Sequence, residues 1–422
     1  MFITMHNKLN WISIGIGLTT VHYGLGFLLG SGEAIYTQGP KGILYAVAAA
    51  LGVFSLIFIA PFYLKEKYPI WDLMGEKYGG TVRRLVAFLS GFWMVGVVAA
   101  QILGGAWALS LFGVNKFISM IIISLLIFIL SVIDIGKLSK IFFYMLMFSS
   151  ITLLMVLFYI GIGWLPASIN GLFNSIGLIT LNDLVGIITT TILVTFIGMD
   201  FHQFIVKAKD ADNAIKGAAL GGVVLLALSA LLLAVVNGSV KTGLIGSITD
   251  AKQTVPSILL NYGNIMTPFL GIIFSLPLVF VAAGSGSGVT RIVAKTIADL
   301  GFLKKTKVDN RLLTVLMAFS VSLTGSSIIN LIVAFYAIYV ASVFIPFILF
   351  LLDRSRSLYL PKSAIRNSII GGLIGSLFVF INRFIPGSFL ADNQASYIML
   401  AGFSFSIMVY ILSAKVHNMV KY

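Results

Sequence analysis

The stretch TTVHYGLGFLLGSGEAIYTQG, residues 19–39, is an apolar segment in which four glycines fall within nine residues: Gly24, Gly26, Gly30 and Gly32. Each glycine lowers helix propensity by about 1 kcal/mol relative to alanine, so this density favours an unwound segment within a membrane helix. His22 and Glu33 lie in the same stretch. A charged side chain inside a bilayer costs at least about 2.5–3.5 kcal/mol, so Glu33 indicates a functional site.

A second stretch of this kind, TTTILVTFIGMDFHQFIVKAKD, spans residues 189–210 and places Gly198 beside Asp200 and His202. Glycine alone is weak support, since small residues also let membrane helices pack closely. Two interrupted helices at corresponding places in two halves of a chain are typical of a transporter site, because unwound backbone exposes carbonyls and helix ends. The intramembrane carboxylates therefore favour a binding site.

The composition excludes a water-soluble protein. Of 422 residues, 59% are hydrophobic and 10% charged, with a mean hydropathy of +1.05, whereas soluble domains carry about 25% charged residues. Apolar runs long enough to cross a hydrocarbon core recur along the chain. They are continuously apolar instead of alternating, which predicts helices and not barrel strands. The predicted fold class is an all-α polytopic membrane protein with about twelve transmembrane helices.

The predicted spans are 11–36, 42–64, 85–112, 115–135, 138–165, 182–206, 214–238, 266–300, 312–327, 329–351, 365–385 and 395–415. The interruptions fall in the first and sixth spans, which predicts a 5+5 inverted repeat plus two C-terminal helices. A single transmembrane domain, 1–415, would comprise repeats 11–165 and 182–351 and accessory helices 365–415. Three connections are long, and the last of them is expected to hold a short surface helix: 65–84, 166–181 and 239–265.

The basic residues predict the topology. With these spans, 21 of the 28 Lys and Arg residues lie on the side of both termini, and two lie inside a helix, Arg291 and Lys295. The other side holds only Lys41, Lys116, Lys241, Lys252 and Arg383. By the positive-inside rule, both termini are cytoplasmic, in a multi-pass protein of the cytoplasmic (inner) membrane. The first apolar segment has full spanning length, which predicts a membrane helix instead of a removable signal.

Other classes of protein find no support in the residues. The chain has no cysteine, and its four histidines have no zinc-site spacing. No hydrolase motif surrounds a serine, so no enzymatic activity and no organic cofactor are predicted. The net charge of +14 is scattered over short loops, which does not favour nucleic acid as a partner. The predicted partners are a small-molecule solute and the lipid bilayer.

Four segments between about Gly17 and Asp353 resemble the sodium/solute symporter family. They are GEAIYTQGPKGILYAVAAALG (32–52), YPIWDLMGEKYGGTVRRLVAF (68–88), GMDFHQFIVKAKDADNAIKGAALGG (198–222) and VAAGSGSGVTRIVAKTIADLG (281–301). The third is the most specific. The resemblance implies the inverted-repeat, leucine-transporter-type fold, here without the extra N-terminal helix that the family usually has.

The resemblance also implies site residues. The substrate would be bound by Gly24, Gly26, Phe27, Gly30, Glu33, Gly198, Asp200 and Gln203. A sodium ion would be bound at Ala282 and Ser285 of the eighth span and by first-span carbonyls, either those of Thr19 and His22 or those of Thr20 and Tyr23. Gly286 stands where the family has a second hydroxyl, so Gly286→Ser is expected to add an ion ligand.

The sequence thus predicts a secondary active transporter, a symporter of a small polar organic solute, coupled to sodium and working by alternating access. Two alternatives remain. Protons could replace sodium, carried by Glu33, Asp200 or His22. A membrane sensor could also keep the fold without transport.

Overall fold

The computed structural model describes residues 9–133, 135–301, 307–356, 360–382 and 395–421. Within these ranges no β-strand forms, and π-helical stretches occupy Gly26–Gly30 and Asn182–Thr189. The α-helices of the same ranges are α1 (Trp11–His22), α2 (Ser31–Gln38), α3 (Leu44–Glu66), α4 (Ile70–Tyr78), α5 (Gly80–Ser110), α6 (Lys116–Val132), α7 (Ile135–Ile160), α8 (Trp164–Asn174), α9 (Thr190–Ile197), α10 (Met199–Ile205), α11 (Ala211–Thr242), α12 (Thr254–Met266), α13 (Pro268–Leu300), α14 (Lys307–Ser322), α15 (Ile328–Arg356), α16 (Lys362–Asn382) and α17 (Ala395–Lys421).

Each predicted span overlaps one helix or, for the first and sixth spans, a group of short helical stretches. By length and hydropathy alone, seven helical stretches of the described chain could cross a membrane, or nine if each bent pair counts as one span. The first predicted span consists of α1, the π-helical stretch and α2. One of the seven stretches joins α2 to α3, but the chain folds back between them. The close approach of Gly42 to Ala34 shows this, since a Cβ on Gly42 would lie 2.2 Å from the carbonyl carbon of Ala34.

Short helices occupy the three long connections, as α4, α8 and α12. The expectation of a surface helix in 239–265 is wrong in its exposure, because α12 buries Val255, Ile258 and Leu259 while packing along α13. The ninth span ends earlier than predicted, at Ser322, and the turn that follows contains Gly325 with a φ of +69°. Loop chemistry after Ser322, and not loss of hydropathy, therefore sets that boundary.

The core of the bundle consists of long helices that approach closely at small residues. Helix α5 packs along α13 and α15, α11 packs on α3 and α1, and α16 and α17 pack on each other and on α15. A Cβ on Gly96 of α5 would lie 2.4 Å from the Phe335 ring of α15, and one on Gly105 would lie 2.9 Å from Ala282 of α13. Such contacts are typical of membrane helices, which gain packing energy instead of hydrophobic burial.

Contacts at the two ends of the bundle agree with the predicted alternation of loops. At one end, Lys41 forms an ion pair with Asp183 at 3.4 Å. At the other, Lys77 contacts Asp353 at 2.9 Å and Arg354 contacts Glu66 at 2.8 Å. We call these the outer and inner ends, since the basic residues predict the second to be cytoplasmic.

The inner end also holds the start of the described chain. The N–H of Leu9 donates to the Lys207 carbonyl at 2.8 Å, and that of Trp11 donates to Asn213 Oδ1 at 2.9 Å. Asp210 caps α11 by accepting from the Asn213 N–H, and this hydrogen bond lowers the pKa of Asp210. These contacts join the first span to the sixth and seventh at one end.

Candidate functional site

The first span opens immediately after α1. The N–H of Gly24 donates to a carbonyl only two residues back, at 2.8 Å, and the N–H of Leu25 donates to Oε1 of Gln101 on α5, at 3.2 Å. In a continuous α-helix these two donors would pair with the carbonyls of Thr20 and Val21. The break therefore turns two backbone carbonyls away from helical pairing, and Gln101 stabilises it.

Ser285 of α13 faces this break. A Cβ placed on Gly24 would lie 3.1 Å from Ser285 Oγ and 3.1 Å from Gln101 Nε2, so the three residues are direct neighbours. Ala282 lies about one helical turn before Ser285 and is fully buried. Hydroxyl, amide and carbonyl oxygens are the ligands that hard cations prefer. The break thus brings together the oxygen types that a sodium site requires.

The other two predicted ion-site residues, Thr19 and His22, use their carbonyls within the helix end. The Thr19 carbonyl accepts the N–H four residues on, at 2.8 Å, and the His22 carbonyl accepts the N–H of Gly24, also at 2.8 Å. Of the two carbonyl pairs that the resemblance implies, the geometry favours the one containing Thr20.

Gly286 faces a different neighbour. A Cβ there would lie 2.6 Å from Cδ1 of Ile127 on α6 and 3.4 Å from Cβ of Gln101. Real Cβ atoms are not found that close to another heavy atom, so Ile127 would have to move. This geometry argues against the expectation that a serine at position 286 adds an ion ligand directly.

The sixth span is broken at Gly198, where α9 gives way to α10 with a bend of 50° between the two helical stretches. The Ile197 carbonyl accepts a hydrogen bond from the Tyr339 hydroxyl of α15 at 3.2 Å. Asp200 is buried, and among the described residues its Oδ1 has no hydrogen-bond partner. A Cβ on Gly198 would lie 2.9 Å from that oxygen, so close approach explains the glycine.

The two breaks lie side by side. The His22 ring at the end of α1 stacks on Phe201 of α10, with ring centroids 4.2 Å apart and planes 5° apart. His202 of α10 is fully buried. Its ring stacks on Tyr63 at 3.6 Å, and its Nε2 lies 3.0 Å from the Phe196 carbonyl.

Four buried aromatic residues lie beside the second break, and we call them the aromatic cluster: Tyr45 of α3, Trp93 of α5, and Tyr336 and Tyr339 of α15. The three tyrosine hydroxyls lie close enough to the Asp200 carboxylate to interact with it electrostatically. The Trp93 ring packs on Tyr336 at 5.3 Å and on Tyr339 at 5.8 Å. Each ring of the cluster is at most 6% exposed. Three helices therefore contribute buried aromatic residues to the neighbourhood of the carboxylate.

Gly26 connects this cluster to the first break. A Cβ on Gly26 would lie 3.4 Å from the Tyr45 hydroxyl and 2.5 Å from Cδ1 of Ile332. The predicted substrate residues Gly24, Gly26, Gly198 and Asp200 thus lie around one pair of adjacent breaks.

Other predicted substrate residues lie further away. Gly30 is a packing glycine, since a Cβ there would lie 2.9 Å from Ile329. Phe27 is fully buried against Tyr23, with ring centroids 5.2 Å apart. Gln203 donates its amide to the Asp200 carbonyl at 2.8 Å, so it supports the α10 backbone.

Glu33 is engaged in a network at the outer end. Its Oε1 lies 3.6 Å from Lys252 Nζ, and its Oε2 accepts the Ile328 N–H at 3.0 Å. Lys252 also pairs with Asp250 at 3.2 Å. We call Glu33, Lys252 and the Ile328 N–H the outer latch, because together they join α2, the segment before α12 and the start of α15.

Two open clefts approach the site from opposite ends. An outer cleft of about 460 Å³ is lined by residues that include Glu33, Thr37, Tyr45 and Asn330. An inner depression of about 320 Å³ is lined by residues that include Met199, Gln203 and Val206. Tyr45 belongs to both the outer cleft and the aromatic cluster, while Met199 flanks Asp200. The buried site therefore lies between the two clefts.

These features define the fold class: an all-α membrane bundle of the leucine-transporter type, interrupted in its first and sixth spans. No protein-family model matches the chain, and no curated protein matches its sequence. Solved structures match it closely in fold. A sodium-coupled sialic acid symporter, solved substrate-bound and outward-open, has a TM-score of 0.72 at 12% identity, covering 97% of this chain and 90% of that one.

Two further structures share the fold. The inward-facing form of Mhp1, a nucleobase-cation-symport-1 family transporter, has a TM-score of 0.58 at 12% identity, covering 97% of this chain and 93% of that one. A manganese transporter of Eremococcus coleocola has a TM-score of 0.55 at 16% identity, covering 98% and 97%. All three are transporters and none is an enzyme. Membership of the sodium/solute symporter family itself stays a prediction.

Sequence reasoning missed Gln101 and the four residues of the aromatic cluster. Gln101 carried a signal, because a buried amide within the apolar α5 needs a partner. Tyr45, Trp93, Tyr336 and Tyr339 carried none, since aromatic residues in membrane helices are common and only the packing of α3, α5 and α15 brings them to Asp200.

Proposed function

We propose that this protein is a secondary active transporter, a symporter that moves a small polar organic solute across the cytoplasmic membrane with sodium. The observation that carries the proposal is the meeting of two interrupted helices at a buried site. The break after α1 exposes backbone oxygens beside Ser285, and the break at Gly198 holds the unpaired Asp200 carboxylate. Irregular backbone at membrane depth is tolerated where it binds an ion or a solute.

The coupling ion would bind at the first break. Ser285 Oγ and the carbonyls released by the break would supply oxygen ligands of the kind sodium prefers, while Gln101 holds the break open by accepting the Leu25 N–H. Gly26 lies two residues after Gly24 and contacts the aromatic cluster, so ion and solute would share one unwound segment. Binding of either would order the segment for the other, which is the physical basis of coupling.

Alternating access would use the two clefts. Opening at the outer latch would expose the site to the outside, and separation of the inner contacts around Asp353 would expose it to the cytoplasm. The manganese transporter shares the fold, but the described residues hold no group of three or more His, Cys, Asp or Glu side chains suited to a metal ion. An organic solute is therefore favoured as substrate over a transition metal.

The absence of cysteine makes alternating access directly testable. Asn330→Cys in the outer cleft and Val206→Cys in the inner depression give one thiol each, whose labelling rate with a membrane-impermeant maleimide can be followed in proteoliposomes. We expect sodium to speed labelling at position 330 and to slow it at 206. Rates that ignore sodium at both positions would contradict a sodium-driven transporter, and rates that follow pH instead would favour proton coupling.

The ion site is tested by a matched pair of serines. Ser285→Ala removes the hydroxyl at the break, while Ser287→Ala removes one that donates to the Gly284 carbonyl at 2.8 Å, within its own helix. Ser285→Ala should raise the sodium concentration for half-maximal response in the labelling assay, and Ser287→Ala should leave it unchanged. Equal responses in both variants would remove Ser285 from the ion site.

A further inference from the structure

Asp200 is a buried carboxylate without a cationic partner among the described residues. The carboxylate is 5% exposed, and the described residues place no Lys or Arg side chain among the groups that act on it. Only backbone N–H groups of Asp200 and Phe201 face it, and Oδ1 has no hydrogen-bond partner among the described residues. A buried, unpaired charge is costly and is retained where a ligand supplies the opposite charge.

The surroundings discriminate among the positive partners that could complete it. A sodium ion needs several oxygen ligands, yet the Ile197 carbonyl at the break already accepts from Tyr339. Beside Asp200 lie instead three buried tyrosines, Tyr45, Tyr336 and Tyr339, whose hydroxyls interact with the carboxylate electrostatically, with Trp93 packed on the last two. Aromatic faces attract organic ammonium groups through the ring quadrupole, and the attraction is stronger where water is excluded.

We propose, on the basis of the transporter function inferred above, that the solute is a small organic cation whose ammonium group is bound by the Asp200 carboxylate within the aromatic cluster. The carboxylate supplies the charge, and the rings supply cation–π contacts and exclude water. Tyr45 lines the outer cleft, so it is the first ring that an entering cation would meet. A carboxylate anion would be repelled by Asp200, and a neutral sugar would leave the carboxylate without a countercharge.

The ion site and the ammonium site are then distinct. Sodium would lie at Gly24, Ser285 and Gln101, among oxygens, and the organic cation would lie at Asp200, among rings. Charge separation of this kind lets two cations occupy one cavity region, because each has its own set of compensating groups.

The test uses the purified full chain in detergent and two isosteric pairs of probes. The first pair is choline and its neutral carbon analogue 3,3-dimethyl-1-butanol, and the second is ethylamine and its neutral analogue ethanol. Binding is measured by thermal shift and by calorimetry in the presence of sodium, because a ligand that binds only the folded state raises the unfolding temperature. We expect one or both ammonium probes to bind and both neutral analogues to fail. Absence of binding by both cations to folded protein would overturn the proposal.

Two carboxylate variants distinguish the loss of the Asp200 charge from a general loss of folding. Asp200→Asn should weaken ammonium binding by about 30-fold or more, the effect expected for removing one partner of a buried charge pair. Asp183→Asn, which alters another buried carboxylate of the sixth span, at its outer start, is the control and should bind normally. Asp200→Asn protein that binds choline as tightly as the unaltered chain would overturn the proposal, as would binding that is kept while only its pH response is lost.

The rings are tested by a second pair. Tyr45→Phe and Tyr45→Leu both lose the hydroxyl that hydrogen-bonds Tyr336, so the difference between them reports the ring. Tyr45→Leu should bind about tenfold more weakly than Tyr45→Phe, as a desolvated cation–π contact predicts. Equal affinities would remove the ring from the proposal.

The outcomes distinguish this inference from the proposed function. Ammonium binding without uptake into proteoliposomes would support the site and contradict the transporter. Sodium-driven uptake of a neutral or anionic solute that needs no carboxylate at position 200 would support the transporter and overturn the ammonium site.

Discussion

Glu33 can be a substrate ligand or a member of the outer latch, and these two roles predict opposite effects of substitution. The sequence predicts a substrate ligand, whereas the structure engages both of its oxygens in the outer latch, with Lys252 at 3.6 Å and the Ile328 N–H at 3.0 Å. Glu33→Gln keeps an oxygen for the N–H and loses the charge, and Glu33→Ala loses both. If Glu33 is a latch, stability should fall in the order Glu, Gln, Ala.

The magnitudes follow from the geometry. At 3.6 Å and an effective dielectric constant of 20, the gross attraction to Lys252 is about 4–5 kcal/mol. Desolvation offsets most of this attraction, and Lys252 keeps Asp250 at 3.2 Å as a second partner, so we expect Glu33→Gln to cost about 1–2 kcal/mol. Glu33→Ala leaves a buried N–H unpaired as well, which adds about 1–3 kcal/mol.

The assay is thermal unfolding of purified protein, followed by tryptophan fluorescence. Because the entropy of unfolding scales with length, each kcal/mol should lower the midpoint by about 1–2 °C for a chain of this size. Glu33→Gln should therefore lose about 1–4 °C and Glu33→Ala about 2–10 °C. Lys252→Met combined with Glu33→Gln should cost less than the two single changes added together.

Solute binding and maleimide labelling provide a second test of Glu33. A latch predicts that Glu33→Gln still binds solute and labels faster at the outer cleft. Unchanged unfolding midpoints in both variants, together with lost solute binding, would refute the latch and restore Glu33 as a substrate ligand.

Three further predictions concern Gly286, the inner end of the bundle and the membrane topology. Gly286→Ser should lower the unfolding midpoint through its contact with Ile127, and adding Ile127→Ala should restore part of the loss; a stable single variant with higher sodium affinity would contradict this. Asp353→Asn should weaken the contact with Lys77 at the inner end and raise maleimide labelling of Val206→Cys, and unchanged labelling would exclude an inner gate there. A reporter fused after residue 422 should be active only in the cytoplasm, and periplasmic activity would invalidate the twelve-span topology.

The spans and their alternation were predictable because each depends on local composition. A run of about 20 apolar residues must form a helix in lipid wherever it lies in the fold, so α3, α5, α11 and α15 agree closely with the sequence. The breaks were predictable too, since Gly24 and Gly198 act on the backbone of their own segment. Exposure was not predictable, as α12 demonstrates by lying buried along α13.

Residue roles depended on neighbours that are distant in sequence. Asp200 could be singled out because a carboxylate is rare at membrane depth, but its aromatic surroundings come from Tyr45 and Tyr336, 155 residues before it and 136 after it. Glu33 has the same signal in the sequence, but its ion pair with Lys252 gives it a structural role. Rarity of a residue type indicates that it matters, whereas its partner decides what it does.

The sequence by itself determined the class of molecule and the two interruptions, and it predicts twelve spans and their orientation, because hydropathy, basic-residue bias and glycine content act within one segment or one loop. Only the tertiary structure decided that Gln101 and Ser285 meet at the first break, that buried aromatic residues lie beside Asp200, and that Glu33 belongs to a latch. The physical reason is that these contacts arise where helices cross. Crossings depend on the packing of many side chains together, which no single segment encodes.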